Sequence, residues 1–483
     1  MIYIIVLSVT AGVLGFYYYF FKDLNYFKKH GILHKPPLPI LGNMGSACLR
    51  LKPIVEFVKD FYNLYPEAKY IDETQDPLFG KNLFSIRGER WRQVRSLLSP
   101  AFTSSKMKNM FKLMSEYSAD FTTFLAQLPP EQRMMQMKDI FTKYTNDVIA
   151  TCVFGISINS MKNPKNEFYV YGKEATTLSS VTFLKFYIFR NLPLLARLIN
   201  LKFVRQKIAD FFRDLVETTI KTRDENGIVR PDMLQLMMEN RSKEDKVQLT
   251  IEDMVAQAFV FFFNGFESTS TLMCFAAHEI AVNQDIQKKL QNQIDQVLKE
   301  NNGQVLYEAV NAMEYLDAVI YETLRMYPIV AVIDRSCAKD FELPPALPGK
   351  KSFTIKKGRG IWIPAYALHH DAKYFEEPEK FDPERFLGEK RKHIFNCGAY
   401  LPFGLGPRMC IGNRFALLET KVLLFHLLAR CDLKICEKTP IPLKLAKGFN
   451  MKPEGGFWLN VEPRKNIDYI LAANLNNGTL RCK

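Results

Sequence analysis

Tryptophan and cysteine are scarce in this 483-residue chain, with three Trp and nine Cys. The cysteines lie at 48, 152, 274, 337, 397, 410, 431, 436 and 482. Their number is odd, their spacing scattered, and no CxxC pair occurs. That excludes a zinc ribbon, a thioredoxin-type site and a disulfide-stapled miniprotein. Such a pattern of free thiols fits a reducing compartment. No internal repeat and no low-complexity block is present, so collagen-like rods and disordered tracts are excluded. No stretch interleaves basic and aromatic residues as a nucleic-acid groove would, and nucleic acid is not an expected partner. Acidic residues are outnumbered, 51 against 65 Lys and Arg, for a net charge of +14. That excess suits an anionic membrane surface or an acidic protein.

Charge is missing altogether from residues 1–21. A helix needs about 20 apolar residues to cross a bilayer core. Tyr17, Tyr18 and Tyr19 would form an interfacial belt, and Lys22, Lys28, Lys29 and Lys35 follow on the cytosolic side. A cleaved secretory signal fits less well, since no basic region precedes the run. Residues 1–21 therefore read as a transmembrane anchor and 22–45 as a basic, Pro-rich hinge through Lys35-Pro36-Pro37-Leu38-Pro39.

Hydrophobic residues make up 47% of the chain, and 38 of them are Phe, which points to a large apolar interior or pocket. From about 86 to 330 apolar residues recur at three and four, as in helices. Thr250, an N-cap residue, opens a stretch that is apolar nearly all round from Met254 to Ile280, as a helix through the middle of a domain would be. A further helix is expected over roughly 308–326. Strands are expected at Val330–Ile333, at Gly360–Pro364 and near 440–462, and a last long helix over Gly412–Ala429. The class is mainly α with small β-sheets, one large domain behind the anchor.

Phe403-Gly404-Leu405-Gly406-Pro407-Arg408-Met409-Cys410-Ile411-Gly412 is the strongest chemical signal. Cys410 precedes a helix, whose amide donors and dipole favour a thiolate. Gly406 and Gly412 let backbone approach a flat ligand, Phe403 suits a ring face, and Arg408 suits a carboxylate. A thiolate so held is an axial ligand for haem iron.

This segment, read as FxxGxRxCxG, resembles the haem-binding signature of the cytochromes P-450. Other motifs follow the order of that family. Trp91-Arg92-Gln93-Val94-Arg95 is similar to WxxxR, and Glu322-Thr323-Leu324-Arg325 to ExxR. Pro383-Glu384-Arg385-Phe386 is similar to PERF. Asn264-Gly265-Phe266-Glu267-Ser268-Thr269 resembles the oxygen-activation motif, with Ser268 in place of the usual Thr and Asn264 in place of Ala or Gly. Asp76–Phe84, Ser99–Met107 and Met451–Trp458 resemble insect family 9, kin of families 6 and 3.

The resemblance implies haem b held by the Cys410 thiolate, with Trp91, Arg95, Arg335 and Arg408 at the propionates. It implies a structural triad of Glu322, Arg325 and Arg385, and proton handling by Glu267 and Ser268. Phe259 and Phe262, one turn earlier, are candidate pocket walls or plain helix core. It also implies a monooxygenase that uses O2 and NADPH, fed by a NADPH-cytochrome P-450 reductase and by cytochrome b5. The substrate would be a lipophilic small molecule, xenobiotic or endogenous lipid. The place would be the endoplasmic reticulum membrane, with the catalytic domain (46–464) facing the cytosol. The segment 84–110 carries a local excess of cations, on the side where the family docks its reductase.

The chain departs from the family between Pro36 and Trp91, where several dozen residues are missing near 70–71. That loss would leave sheet edges exposed. A tail, 465–483, runs past the family's usual end. A truncated, haem-poor isoform and a haem-thiolate isomerase are the alternative readings.

Overall fold

The computed structural model describes residues 2–21, 76–177, 180–230, 232–241, 248–344, 352–447 and 451–464. The hinge at 22–45, the junction near 70–71 and the tail at 465–483 lie outside the described residues. The chain divides into two compact units. One lies within Met1–Lys69, Val330–Leu368 and Leu445–Met451, the other within Tyr70–Ile329, His369–Lys444 and Lys452–Lys483.

The first unit carries helix α1 (Ile2–Phe21), which has no acidic residue in its first turn and no basic one in its last. Its Tyr3, Leu7, Val13, Leu14, Tyr17 and Tyr18 are exposed. Several other α1 side chains are outside the described set. Counted over described residues alone, no helix is long and apolar enough to cross a membrane.

The larger unit is helical. Its helices include α2 (Gly88–Leu98), α3 (Ser104–Ala126), α4 (Met137–Ile149), α5 (Glu167–Thr176) and α6 (Gln206–Asn226). Then come α7 (Ile251–Val282), α8 (Gln284–Glu300), α9 (Glu314–Met326) and α10 (Asn413–Arg430). The expected 250–285 helix is α7, and its start is fixed by a capping box. The Thr250 hydroxyl accepts from the Asp253 amide at 3.1 Å, and the Asp253 carboxylate accepts from the Thr250 amide at 3.0 Å. It runs through the core, packed against α4, α6 and α10. The expected 308–326 helix is two pieces, Tyr307–Asn311 and α9. Met313 leaves helical geometry between them, and Glu314 and Asp317 then favour a fresh N-terminus.

Strands β1 (Met134–Gln136), β6 (Cys431–Lys434) and β7 (Trp458–Pro463) make a three-stranded antiparallel sheet in the larger unit. Leu433 faces Val461 and Met135 faces Leu459, so alternate residues point into the core. In the smaller unit β2 (Ile333–Ser336) pairs with β5 (Gly360–Ile363), and β3 (Phe341–Leu343) with β4 (Phe353–Ile355). Among the described residues both are two-stranded, so each strand has an unpaired edge.

Candidate functional site

The Cys410 loop is shaped by its own backbone. The Cys410 amide donates to the Phe403 carbonyl at 2.9 Å, and the Met409 amide to Gly406 at 3.0 Å. Gly404 and Gly406 turn the chain at φ of 74° and 75°, a left-handed region that suits glycine. Gly412 then hands over to α10, where the Ala416 amide meets its carbonyl. Cys410 keeps accessible surface, yet surrounding protein desolvates it enough to push its thiol pKa up. Together these describe a thiol at the floor of a recess. The expected help from an amide at the helix start is present, but it does not prevail. The Gly412 amide and the Arg95 charge pull the pKa down, but burial outweighs them. A bound metal is what would deprotonate this sulfur.

Helix α2 brings Trp91 and Arg95 to this loop. Arg95 interacts electrostatically with Cys410, and its own pKa is lowered by burial. The Arg408 guanidinium sits 4.0 Å from the centre of the Trp91 ring and donates to the Ile86 carbonyl at 3.0 Å. Arg408 therefore clamps the loop to α2, a use the sequence did not suggest. A Cβ on Gly406 would meet nothing within 4 Å, and one on Gly412 only Phe102 at 3.8 Å.

A family-level comparison matches the cytochrome P450 description over residues 54–460. The chain belongs to the cytochrome P-450 family. Among curated relatives it is 43% identical to cytochrome P-450 9e2 of Blattella germanica over 508 aligned positions, 92% of this chain and 94% of the relative. It is 38% identical to the probable cytochrome P-450 9f2 of Drosophila melanogaster, over 93% of this chain and 97% of that one. Cytochrome P-450 6j1 of Blattella germanica is 34% identical, over 93% and 96%. The expected kinship with insect families 9 and 6 holds. Membership in the cytochrome P-450 family makes this a haem-thiolate monooxygenase in general terms. The recess fits the group: one soft sulfur donor, open faces at Gly406 and Gly412, and cationic and aromatic side chains beside them.

The cytochrome P-450 oxygen motif lies on the accessible stripe of α7. Asn264, Gly265, Glu267 and Ser268 keep surface, whereas Phe259, Phe262 and Phe266 are 1%, 0% and 1% exposed. Phe259 and Phe262 belong to an aromatic core with Phe212, so the core reading holds for both and the pocket-wall reading fails. Phe261, 5.7 Å from Phe102, shares the accessible stripe instead. The Asn264 amide folds back onto the Val260 carbonyl at 2.9 Å. The Ser268 hydroxyl donates to the Asn264 carbonyl. Glu267 does not reach Ser268 for a hydrogen bond; its carboxylate pairs with Lys138 at 3.2 Å.

Glu322, Arg325 and Arg385 come together as expected. Arg325 grips both oxygens of Glu322 at 2.7 and 2.8 Å, and Arg385 Nε lies 3.5 Å from Glu322 Oε1. Glu322 and Arg325 are fully buried. Arg335 stands on β2 of the smaller unit and donates to the Asp334 carbonyl.

Three features escaped the sequence. Arg90 pairs with Asp253 at 3.0 Å and Lys108 with Glu308, so the cationic excess of 84–110 is partly neutralised from outside the segment. Glu419, nine residues past Cys410, is fully buried, and among the described residues neither of its carboxyl oxygens has a hydrogen-bond partner. Burial pushes its pKa well above the carboxylate range.

The third is His369. Its Nε2 accepts from the Leu401 amide at 2.8 Å, so Nδ1 carries the proton and donates to the Arg325 carbonyl at 3.1 Å. Burial lowers its pKa to about 3. An unfolded histidine titrates near ~6.5, so below that pH the unfolded chain binds a proton that the folded chain refuses. The stability contribution is complete above ~6.5 and is lost as pH falls toward ~3. Relative to a His369→Gln variant, the protein should lose about 1.4 kcal/mol more per pH unit in that window. Urea midpoints at several pH values would read it, and a pH-independent difference would count against it.

Proposed function

We propose that this cytochrome P-450 inserts one oxygen atom of O2 into lipophilic small molecules, xenobiotics or endogenous lipids. Its electrons come from NADPH through a flavin reductase, with cytochrome b5 as a second donor. The observation that carries the reading is the Cys410 recess, flanked by Arg95, Trp91 and Arg408. When bound, haem supplies the iron at which dioxygen is reduced. Cys410 holds the iron, while Phe403 and Gly412 border the ring. Arg95 and Arg408 provide cations for the propionates, with Trp91 alongside. Glu267 and Ser268 handle protons and water, and the triad of Glu322, Arg325 and Arg385 locks the core.

Helix α1 anchors the chain in the endoplasmic reticulum membrane, with the remainder in the cytosol. Its 20 residues carry no charge, and the side chains at Tyr3, Leu7, Val13 and Leu14 are exposed, which supports the reading. The exposed cations Arg87, at the N-cap of α2, and Arg92, on the helix, suit an acidic reductase.

The test is a dithionite-reduced CO difference spectrum of the expressed chain. A Soret band of the thiolate-ligated type is expected. Its absence would overturn the proposal and favour a haem-poor, truncated isoform. That second reading has support in the alignment with cytochrome P-450 9e2, whose 508 positions exceed the 483 residues of this chain and so include gaps in it. NADPH and O2 consumption with a lipophilic substrate separates a monooxygenase from an isomerase.

A further inference from the structure

Helix α7 is closed off over most of its length. From Met254 to Ala281 the residues that keep accessible surface are Phe261, Phe263, Asn264, Gly265, Glu267 and Ser268. Asn264 is exposed, and the other five are half-buried. A Cβ on Gly265 would meet Ile149 at 2.9 Å, so that side of the turn presses on α4. The Glu267 carboxylate is likewise drawn to α4, by Lys138. Phe261, Asn264 and Ser268, at spacings of three and four, form the face that remains open. This face leads to the Cys410 loop. Phe261 lies 5.7 Å from Phe102, and Phe102 is the side chain that a Cβ on Gly412 would meet, at 3.8 Å.

The polar atoms on this face are mostly acceptors. The Asn264 side-chain amide donates one hydrogen to the Val260 carbonyl at 2.9 Å, which fixes Nδ2 back along the helix. Among the described residues, Oδ1 of Asn264 has no hydrogen-bond partner. Ser268 commits its hydroxyl proton to the Asn264 carbonyl, so its Oγ can only accept. A ligand on this face therefore meets two acceptors one turn apart, beside the Phe261 ring and with one spare N–H of Asn264. A plain hydrocarbon would cover Oδ1 and leave it unpaired, which costs free energy. A hydroxyl or N–H group would satisfy it. An apolar wall with a single placed polar group is how small-molecule sites fix orientation. The Ala or Gly usual at this position has no such group.

We propose that Asn264 is a specificity-determining residue, whose Oδ1 accepts a hydrogen bond from a hydroxyl or N–H of the substrate. The inference rests on the monooxygenase reading and narrows its substrates to lipophilic molecules that carry a hydrogen-bond donor.

The experiment uses the full-length holoenzyme and two matched pairs of probes: dodecanol with dodecyl methyl ether, and cyclododecanol with its methyl ether. Each pair shares an apolar body and differs in the donor. Dissociation constants are measured by equilibrium dialysis for wild type, Asn264→Leu, Asn264→Ala and Ser268→Ala, at matched haem content. Asn264→Leu keeps the volume of the side chain, and Asn264→Ala installs a residue usual at this position, so at least one of them should load haem normally. In both, the preference for alcohol over ether should fall by about three- to tenfold, the factor expected of one neutral hydrogen bond. Equal weakening of alcohol and ether would make Asn264 a shaper of the cavity only, and overturns the proposal. So does a preference that survives both Asn264 substitutions but is lost in Ser268→Ala. If neither alcohol binds wild type below its solubility limit, the donor-bearing class is wrong and the proposal is overturned. Product formed per NADPH from each alcohol is read alongside. A preference that depends on Asn264, without any product, would remove the monooxygenase reading and leave Asn264 as the determinant of a binding site. Product with no such dependence would keep that reading and overturn this one.

Discussion

A Cys410→Ala chain is expected to show no thiolate-type Soret band with CO and no monooxygenase turnover above background. Seven cysteines are described. Cys152, Cys274 and Cys431 are buried, and burial pushes their thiols upward, Cys431 to about 12. Buried thiols of that kind are inert. Cys397 is partly accessible, but its Sγ lies 3.1 Å from the Ile394 carbonyl within an apolar cluster of Phe386, Ile394 and Ala399. Among the described cysteines, Cys410 alone combines a glycine-turned loop, the Gly412 amide, the Arg95 charge and a recess. A Cys397→Ala control should keep the band. Retention of the band in Cys410→Ala would remove the assignment of the axial ligand. Because Cys410 makes no side-chain hydrogen bond to a distant element, the apoprotein of Cys410→Ala should unfold within about 1 kcal/mol of wild type.

The largest stability effect is expected at Glu322. Arg325 is 0% exposed and makes its bidentate grip on that carboxylate, with further donations to the carbonyls of His369, Pro378 and Lys380. The carboxylate also accepts from the Asp382 amide at 2.8 Å. Removing it strands two guanidiniums, Arg325 and Arg385, in a dry interior. A buried charge left unpaired costs about 3–5 kcal/mol. Since total stability is about 5–15 kcal/mol, Glu322→Ala should be barely folded and haem-poor. Denaturant midpoints and haem content would measure both. The charge-free pair Glu322→Leu/Arg325→Met should be less damaging than Glu322→Ala alone, because it leaves one guanidinium stranded rather than two. A Glu322→Ala midpoint close to wild type would refute this account.

Much of the site was legible because its determinants are local. The capping box at Thr250 and Asp253 spans four residues, the Cys410 loop ten, and the Glu322–Arg325 pair one helical turn. What was not legible is held together across the chain. Lys138 and Glu267 are 129 positions apart, and His369 reaches 44 residues back to Arg325 and 32 forward to Leu401. No periodicity announces such partners. Glu419 was missed for a different reason: its burial follows from tertiary packing, α10 being covered by α3, α7, α8 and α9 together. Phe259 and Phe262 show the converse. On a helix surrounded on nearly every side, spacing cannot tell a pocket wall from core, and here the one accessible stripe runs through Phe261 and Ser268. The count of cations over 84–110 stands, but two of them, Arg90 and Lys108, meet Asp253 and Glu308 from elsewhere in the chain, which no local count can show.

His369 also bears on how the binding loop meets its cofactor. It ties the end of α9 to Leu401, two residues before Phe403, and its ring stacks on Tyr400 at 5.3 Å. The approach to the Cys410 loop is thereby fixed by protein contacts that need no cofactor. The entropy of ordering that segment is lost during folding, so the ligand does not have to supply it on arrival. Loosening the tie, by acid or by substitution, should therefore show first as a weaker grip and faster escape of the bound group, before the helices themselves melt.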